Sequence, residues 1–371
     1  MLPRHRALSV VIGILKADPA LRGGPIPDLS GVDWHAVLSL ANGSLLAPSM
    51  LVALRRSLEP RRVPPEVRRY LTLLYRLNRR RNRVVRRQAV ELIEALNEAG
   101  IEPILLKGVL CLFDDYPMDP AQRMMADIDV VVPAGQLQAA VAALHRIGYV
   151  LRDHYPDGHH AFGEFARTGA PAAVDLHTEL IDQDYVLPAE EVQRDAFRTV
   201  LCEGAVCFLP SPTHRIFHHL LHAQIHHRGA FYRGLIDLRQ LHEFAMLAAD
   251  SRHPVNWQLI EDRMRRFRLA VPLHSYTHAA RVVFGVHWPF AAAPPWRARL
   301  HVLRGWLVLL FPALRRISVT WGNLRSAFAW HRMEGLYRES RVPSGLRRLY
   351  HVHRILRRHP LSFPFRRLFR P

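Results

Sequence analysis

Three features predict an α+β fold for this 371-residue chain. Short apolar runs alternate with amphipathic helical segments in a central stretch, the run Asp127-Ile-Asp-Val-Val-Val sits inside it, and helical periodicity broken by prolines lies on either side. The expected architecture is a small mixed sheet with helices on one side, spanning residues 84–182. It is set between an N-terminal helical region (1–83) and a C-terminal helical region (183–340), with a basic amphipathic tail at 341–371.

The N-terminal helices are expected at 34–40, 48–58 and around 70–77, after a short apolar helix at 7–15. That first stretch is weakly signal-like, but the Lys16-Ala-Asp-Pro that follows is a poor cleavage region. Six arginines between Arg79 and Arg87 lead into a helix whose apolar stripe is Val85, Ala89, Leu92, Ile93 and Leu96, ended by Gly100. A strand is predicted at 101–106, a short helix at 109–113, a polar loop with Pro117, Pro120 and Arg123, and a second strand at 127–132. A helix over 136–147 stops at Gly148, and strands at 161–167 and 172–180 complete the sheet. From Glu191 onward the pattern reads as helical, interrupted at Pro210-Ser-Pro, Pro254 and Pro294-Pro295.

Composition narrows the classes. Hydrophobic residues make up 49% of the chain, which excludes wholesale disorder. The longest apolar run, 306–314, lies between Arg304 and Arg315 and contains Pro312. It is far short of the ~20 residues a bilayer span requires, so no transmembrane helix is expected. Cys111, Cys202 and Cys207 lack metal-type spacing and are odd in number, which points to a reduced, cytoplasmic protein. The net charge of +19 is concentrated at one end: from Arg263 onward there are 22 arginines against Glu334 and Glu339. The C-terminal third is therefore expected to meet something anionic, either the inner face of a membrane or RNA. Leu346, Leu349, Tyr350 and Leu356 among Arg347, Arg348, Arg354, Arg357 and Arg358 suit an interfacial helix on anionic lipid, and equally suit RNA phosphates and stacked bases.

Asp127 and Asp129 carry the chemistry. Residues i and i+2 of a strand project from one face, so both carboxylates point the same way, a few ångströms apart. Two carboxylates held so close repel each other unless a cation lies between them. Oxygen ligands of this kind suit Mg²⁺ or Mn²⁺, ions that serve as the handle on a nucleoside triphosphate (NTP). Lys107 is one of only two lysines against 49 arginines, which marks a position where a compact ammonium is wanted rather than a planar fork.

Leu105-Leu-Lys-Gly, Arg123, the Asp127-Ile-Asp motif and Val174-Asp-Leu-His-Thr-Glu-Leu together resemble the uncharacterised nucleotidyltransferase family of the DNA polymerase β superfamily. The likeness continues through Leu209-Pro-Ser-Pro, the histidine-rich helix, Gly234-Leu-Ile-Asp-Leu and Asn256-Trp-Gln-Leu-Ile, covering about residues 30–285. The resemblance implies the minimal nucleotidyltransferase fold and transfer of a nucleoside monophosphate from an NTP to an acceptor, with two divalent ions. Asp127 and Asp129 would hold those ions and Asp175 would be the third carboxylate, drawing the proton from the acceptor. Lys107 and Gly108 stand where the wider superfamily carries Gly-Ser and would cradle phosphate.

Several assignments stay open on sequence alone. Alternation puts His177 and Glu179 on the face of Asp175, so either is an alternative third ligand. Arg123 would reach a phosphate or neutralise Asp114, Asp115 and Asp119. His214, His218, His222 and His226 recur every four residues, a zinc-compatible spacing. With no nearby carboxylate to complete such a site, they read as packing histidines, with Asp237 as a partner, and His222 as a residue lining the nucleotide cleft. Besides a transferase, the residues admit a nucleotide-binding scaffold module at a membrane, or an RNA-directed transferase using the basic third.

Overall fold

The computed structural model describes residues 3–21, 23–57, 62–113, 116–156, 159–182, 184–201, 204–226 and 229–329, with isolated positions between 333 and 353. Apart from those positions, the expected basic tail lies outside the described residues, as do Cys202, Asp114 and Asp115. The chain forms two compact units. The first comprises Met1–His219, Leu238–Trp257 and Ala279–Pro289, and the second Leu220–Asp237, Gln258–His278 and Phe290–Pro371.

The first unit begins with α1 (Pro3–Lys16), α2 (Trp34–Gly43), α3 (Ala47–Arg56) and the long α4 (Pro65–Glu98). Asp33 starts α2 by accepting a hydrogen bond from the backbone N–H of Ala36 at 3.1 Å. The predicted stripe of α4, Val85 through Leu96, is fully buried, and Gly100 follows the helix at a φ of 74°. α4 is one 34-residue helix, so the boundary expected at residue 83 falls inside it.

Beyond α4 come β1 (Ile104–Leu106), β2 (Asp127–Val131), α5 (Leu137–Arg146), β3 (Val150–His154), β4 (Ala161–Ala166) and β5 (Ala173–His177). α6 (Ala189–Arg194), β6 (Phe197–Val200) and β7 (Val206–Leu209) follow. Among the described residues, seven strands join one mixed sheet in the order β3-β4-β5-β2-β1-β7-β6. β2 and β5 are parallel at its centre, β1 runs antiparallel to β2, and β7 runs parallel to β1.

Three strands depart from the sequence reading. β6 and β7 lie where only helix was expected, and β3 where no element was assigned. β3 and β6 are the two edges of the sheet, and β3 is exposed at every position, so it has no buried face to produce alternation. β7 is four residues long and its parallel partner lies about a hundred residues earlier, a pairing that no local pattern encodes. The short helix expected at 109–113 is a 3-10 turn over Lys107–Leu112.

α4 positions the sheet's central strands through polar side chains. Asn78 and Asn82 donate to the backbone carbonyls of Pro120, Ala121 and Arg123 at 2.7–3.1 Å, which fixes the loop entering β2. Arg81 donates to Met125 O and, at 2.7 Å, to Pro171 O. Gln88 donates to Ala172 O at 2.7 Å and accepts from Ala172 N–H at 3.2 Å, just before β5. The same helix therefore holds the entry of both strands.

The chain continues through α7 (Pro212–Gln224), α8 (Ala230–Arg233), α9 (Leu238–Ala249), α10 (Trp257–Arg266), α11 (Ala270–Phe284), α12 (Trp296–Leu310) and α13 (Ala313–Ala327). α9 belongs to the first unit, and α8, α12 and α13 to the second. Pro312 separates α12 from α13, a break not among those expected from the sequence. No helix among the described residues is long and apolar enough to cross a membrane.

Gln88 is buried and also lies 2.7 Å from the Tyr149 hydroxyl, so Gln88→Leu strands both backbone groups of Ala172. Chemical denaturation should show a loss of ~2–4 kcal/mol, the cost of leaving buried polar groups unpaired.

Candidate active site

The parallel register of β2 and β5 sets Asp129 directly beside Asp175, with Asp127 opposite Ala173 and Val131 opposite His177. Paired residues in a sheet share a face, so Asp127, Asp129, Asp175 and His177 project together. The tightest group is Asp129, Asp175 and His177, whose ligand atoms all lie within 4.8 Å of one another. Asp127 sits two residues along the same face, half-buried and outside that triplet. Of the alternatives left open by the sequence, His177 is the one that enters the cluster. Glu179 instead accepts a hydrogen bond from the Ala189 N–H at 3.1 Å.

Asp129 is buried and Oδ1 is its working oxygen. Lys107 Nζ donates to it, and His177 Nε2 lies 3.1 Å away. Burial alone would raise the Asp129 pKa, but Lys107 and His177 outweigh it and hold the carboxyl well below the usual range. The other two aspartates move the opposite way. Burial and then Asp129 raise Asp127, and the same two causes push Asp175 up to about 7. Asp175 Oδ1 is buried and accepts no hydrogen bond. Three carboxylates against one ammonium leave a formal excess of two negative charges on this face.

Lys107 reaches the cluster because β1 ends at Leu106, opposite Asp129. Its own backbone is left-handed, with a φ of 55°, a conformation that costs a non-glycine residue ~1 kcal/mol or more. Burial would lower the Lys107 pKa, yet the three aspartates raise it and keep the ammonium charged. Gly108 follows, buried, and a Cβ there would meet the Arg123 guanidinium at 3.4 Å.

Arg123 is engaged inside the protein. Its Nε donates to the Glu243 carboxylate on α9 at 3.1 Å and its Nη1 to Met124 O at 3.0 Å, with Glu243 buried and the Arg123 side chain 12% exposed. Among the described residues, Glu243 is the carboxylate that pairs with Arg123. Asp119 of the acidic loop caps the 3-10 turn Pro120–Gln122 and accepts from the Tyr75 hydroxyl at 2.8 Å. Tyr116 also donates to Glu243, at 3.0 Å.

The histidines of α7 divide. His214 Nδ1 lies 3.2 Å from Asp195, a carboxylate the sequence reading overlooked, and His218 Nε2 donates to Leu180 O at 3.2 Å. Burial holds His218 well below the ordinary histidine pKa, aided by Lys107. His222 falls in the second unit, its ring 5.5 Å from that of His226, and is not among the residues gathered around Asp129. Among the described residues, these four histidines form no three-ligand cluster.

Two neighbours had no sequence signal. Burial and then the Asp175 carboxylate push the Tyr155 phenol up to about 12. His160 packs with its ring centroid 5.0 Å from that of His177 and pairs with Asp182 at 2.8 Å.

The sequence model of a family described as uncharacterised nucleotidyltransferase matches residues 30–285, well over half of the chain. No curated protein and no solved structure matches it.

Two outcomes follow from this geometry. Because the folded pKa of Asp175 lies above its unfolded one, its contribution to stability is complete at low pH and is lost as the pH rises through about 7. In EDTA, Asp175→Asn should therefore be more stable than the parent at pH 8 by ~1–4 kcal/mol and equal to it near pH 4, as read by thermal melts. Glu243→Ala leaves the Arg123 guanidinium largely buried without its carboxylate and should cost ~3–5 kcal/mol in denaturant titration, more than the paired change Arg123→Met/Glu243→Leu.

Proposed function

The chain belongs to the uncharacterised nucleotidyltransferase family, and on that premise we propose a divalent-metal-dependent enzyme that moves a nucleoside monophosphate from an NTP to an acceptor. The central sheet is read as the minimal nucleotidyltransferase core. The observation that carries the proposal is the parallel register that seats Asp129 against Asp175, with Asp127 on the same face.

The residues present fit Mg²⁺ or Mn²⁺. The donors are carboxylate oxygens with one imidazole, Asp175 Oδ1 is buried without a partner, and the formal excess of two negative charges matches one divalent ion. Asp127, Asp129 and Asp175 are assigned as the metal-holding groups. When bound, divalent ions neutralise charge on the phosphates and on the departing pyrophosphate.

The remaining roles belong to the chain itself. Asp175, beside Asp129 in the parallel register, is the carboxylate assigned to accept the acceptor's proton. His177 orients Asp129 through its 3.1 Å contact to Oδ1, and the Tyr155 phenol stays protonated beside Asp175. Lys107 supplies a point charge for a phosphate oxygen, and the left-handed turn at Lys107–Gly108 lets the backbone approach that phosphate closely. Arg123 acts as a support beneath Gly108 through its pair with Glu243.

Incubation with ATP, GTP, CTP or UTP and Mg²⁺, followed by intact-mass analysis of candidate acceptors, tests the reading. Asp127→Ala and Asp129→Ala should each lower transfer by ~10²-fold or more while the circular dichroism spectrum is retained. Normal transfer by both variants defeats the metal assignment, and nucleotide retention without any transfer would make the protein a binding module.

A further inference from the structure

The helical pair α12–α13 of the second unit is built inside out. The face of α13 that packs on α8 is lined by Ser318, Gly322 and Ser326, all buried. A Cβ on Gly322 would meet the Arg233 and Tyr232 backbone at 2.5 Å, so only glycine fits there. Ser318 donates to Arg233 O at 2.6 Å and accepts from Arg304 at 2.8 Å. The inward face of α12 is likewise small, with Ala298, Val302, Gly305 and Val308.

The large apolar side chains face outward. Trp296, Leu300, Leu303 and Leu307 follow helical spacing on α12 and are 40–65% exposed. Leu314, Ile317, Trp321 and Leu324 do the same on α13, at 39–70%. Burying small residues while displaying leucine, isoleucine and tryptophan reverses the usual partition. Eight large exposed apolar residues on two packed helices are more than the singly scattered ones an ordinary soluble surface carries.

At the Trp296–Leu300 end of the pair is a cavity of about 450 Å³, lined by Arg268, Arg297, Arg304 and Arg325 together with Phe231 and His301. Among the described residues no carboxylate lines it, and the sequence carries none between Arg263 and Glu334. Burial, then Arg304 and Arg325, drive His301 down to about 3, so the imidazole is neutral and adds no repulsion to an incoming anion.

We propose that the α12–α13 face is a docking surface for an anionic lipid bilayer, with the apolar stripes in the headgroup–acyl boundary and a headgroup phosphate in the arginine-lined cavity. Charge selects this occupant. A second copy would bring the same arginines against themselves, and the tail 334–371 is itself arginine-rich. RNA would meet the arginines but leave the aliphatic stripes in water. An anionic bilayer satisfies both features.

Co-sedimentation of the full chain with phosphatidylcholine vesicles, with and without about 30% phosphatidylglycerol, tests this, and at least about tenfold tighter binding to the anionic vesicles is expected. Ile317→Asp/Trp321→Asp, at exposed positions, should abolish binding with unchanged melting temperature. Arg297→Gln/Arg325→Gln should erase the preference for anionic lipid. The proposal is overturned if the wild-type chain ignores both vesicles, or if both variants bind as the parent does. Self-association in sedimentation velocity that Ile317→Asp/Trp321→Asp abolishes would assign the face to a second copy, and RNA retention without vesicle binding would assign it to RNA.

Discussion

The parallel pairing of β2 with β5 is the constraint on which the site depends. A shift of one residue would turn Asp129 or Asp175 to the opposite face, where Ile128, Val130, Val174 and Leu176 are packed. Those four side chains are fully buried, so the register is enforced by hydrophobic burial and not by the carboxylates, which repel each other. The sheet holds together groups that would separate in solution. Lys107 and His177 stabilise the Asp129 carboxylate, while Asp127 and Asp175 retain an electrostatic demand for a cation.

Around that pair, the first unit is organised to fix loops. One face of α4 buries its apolar stripe, and its polar positions, Asn78, Arg81, Asn82 and Gln88, grip backbone carbonyls on the approaches to β2 and β5. Arg123 and Glu243, far apart in sequence, form a largely buried pair beneath the Lys107–Gly108 turn. Such a pair contributes little net stability over apolar residues, but it ties the site loop to α9 in one geometry. The left-handed Lys107 is the strained element of this arrangement, and its ammonium is held in place by Asp129.

The second unit follows a different logic. Its helices do not maximise apolar burial: close backbone approach at Gly322 and Gly305 leaves the larger side chains of α12 and α13 directed outward. The basic charge that dominates the chain's net +19 lies in this part of the sequence, so the apolar stripes and the cationic cavity belong to one surface chemistry.

The features that local periodicity and covalent spacing encode were determined by the sequence. The α4 stripe, the shared face of Asp127 and Asp129 and the concentration of arginine are properties of neighbours along the chain. Lys107 stood out by its rarity and its place in Leu105-Leu-Lys-Gly, and the structure brings it to Asp129. Tertiary structure decided what depends on distant segments. It brought His177 into the cluster ahead of Glu179, paired Arg123 with Glu243, supplied Tyr155 and Asp195 as partners, and added edge strands with no buried face to betray them. It also set which side of α12 and α13 turns outward. An apolar periodicity identifies a helix face, but only packing against Tyr232 and Arg233, where no side chain larger than glycine fits, shows that the apolar face is the outer one.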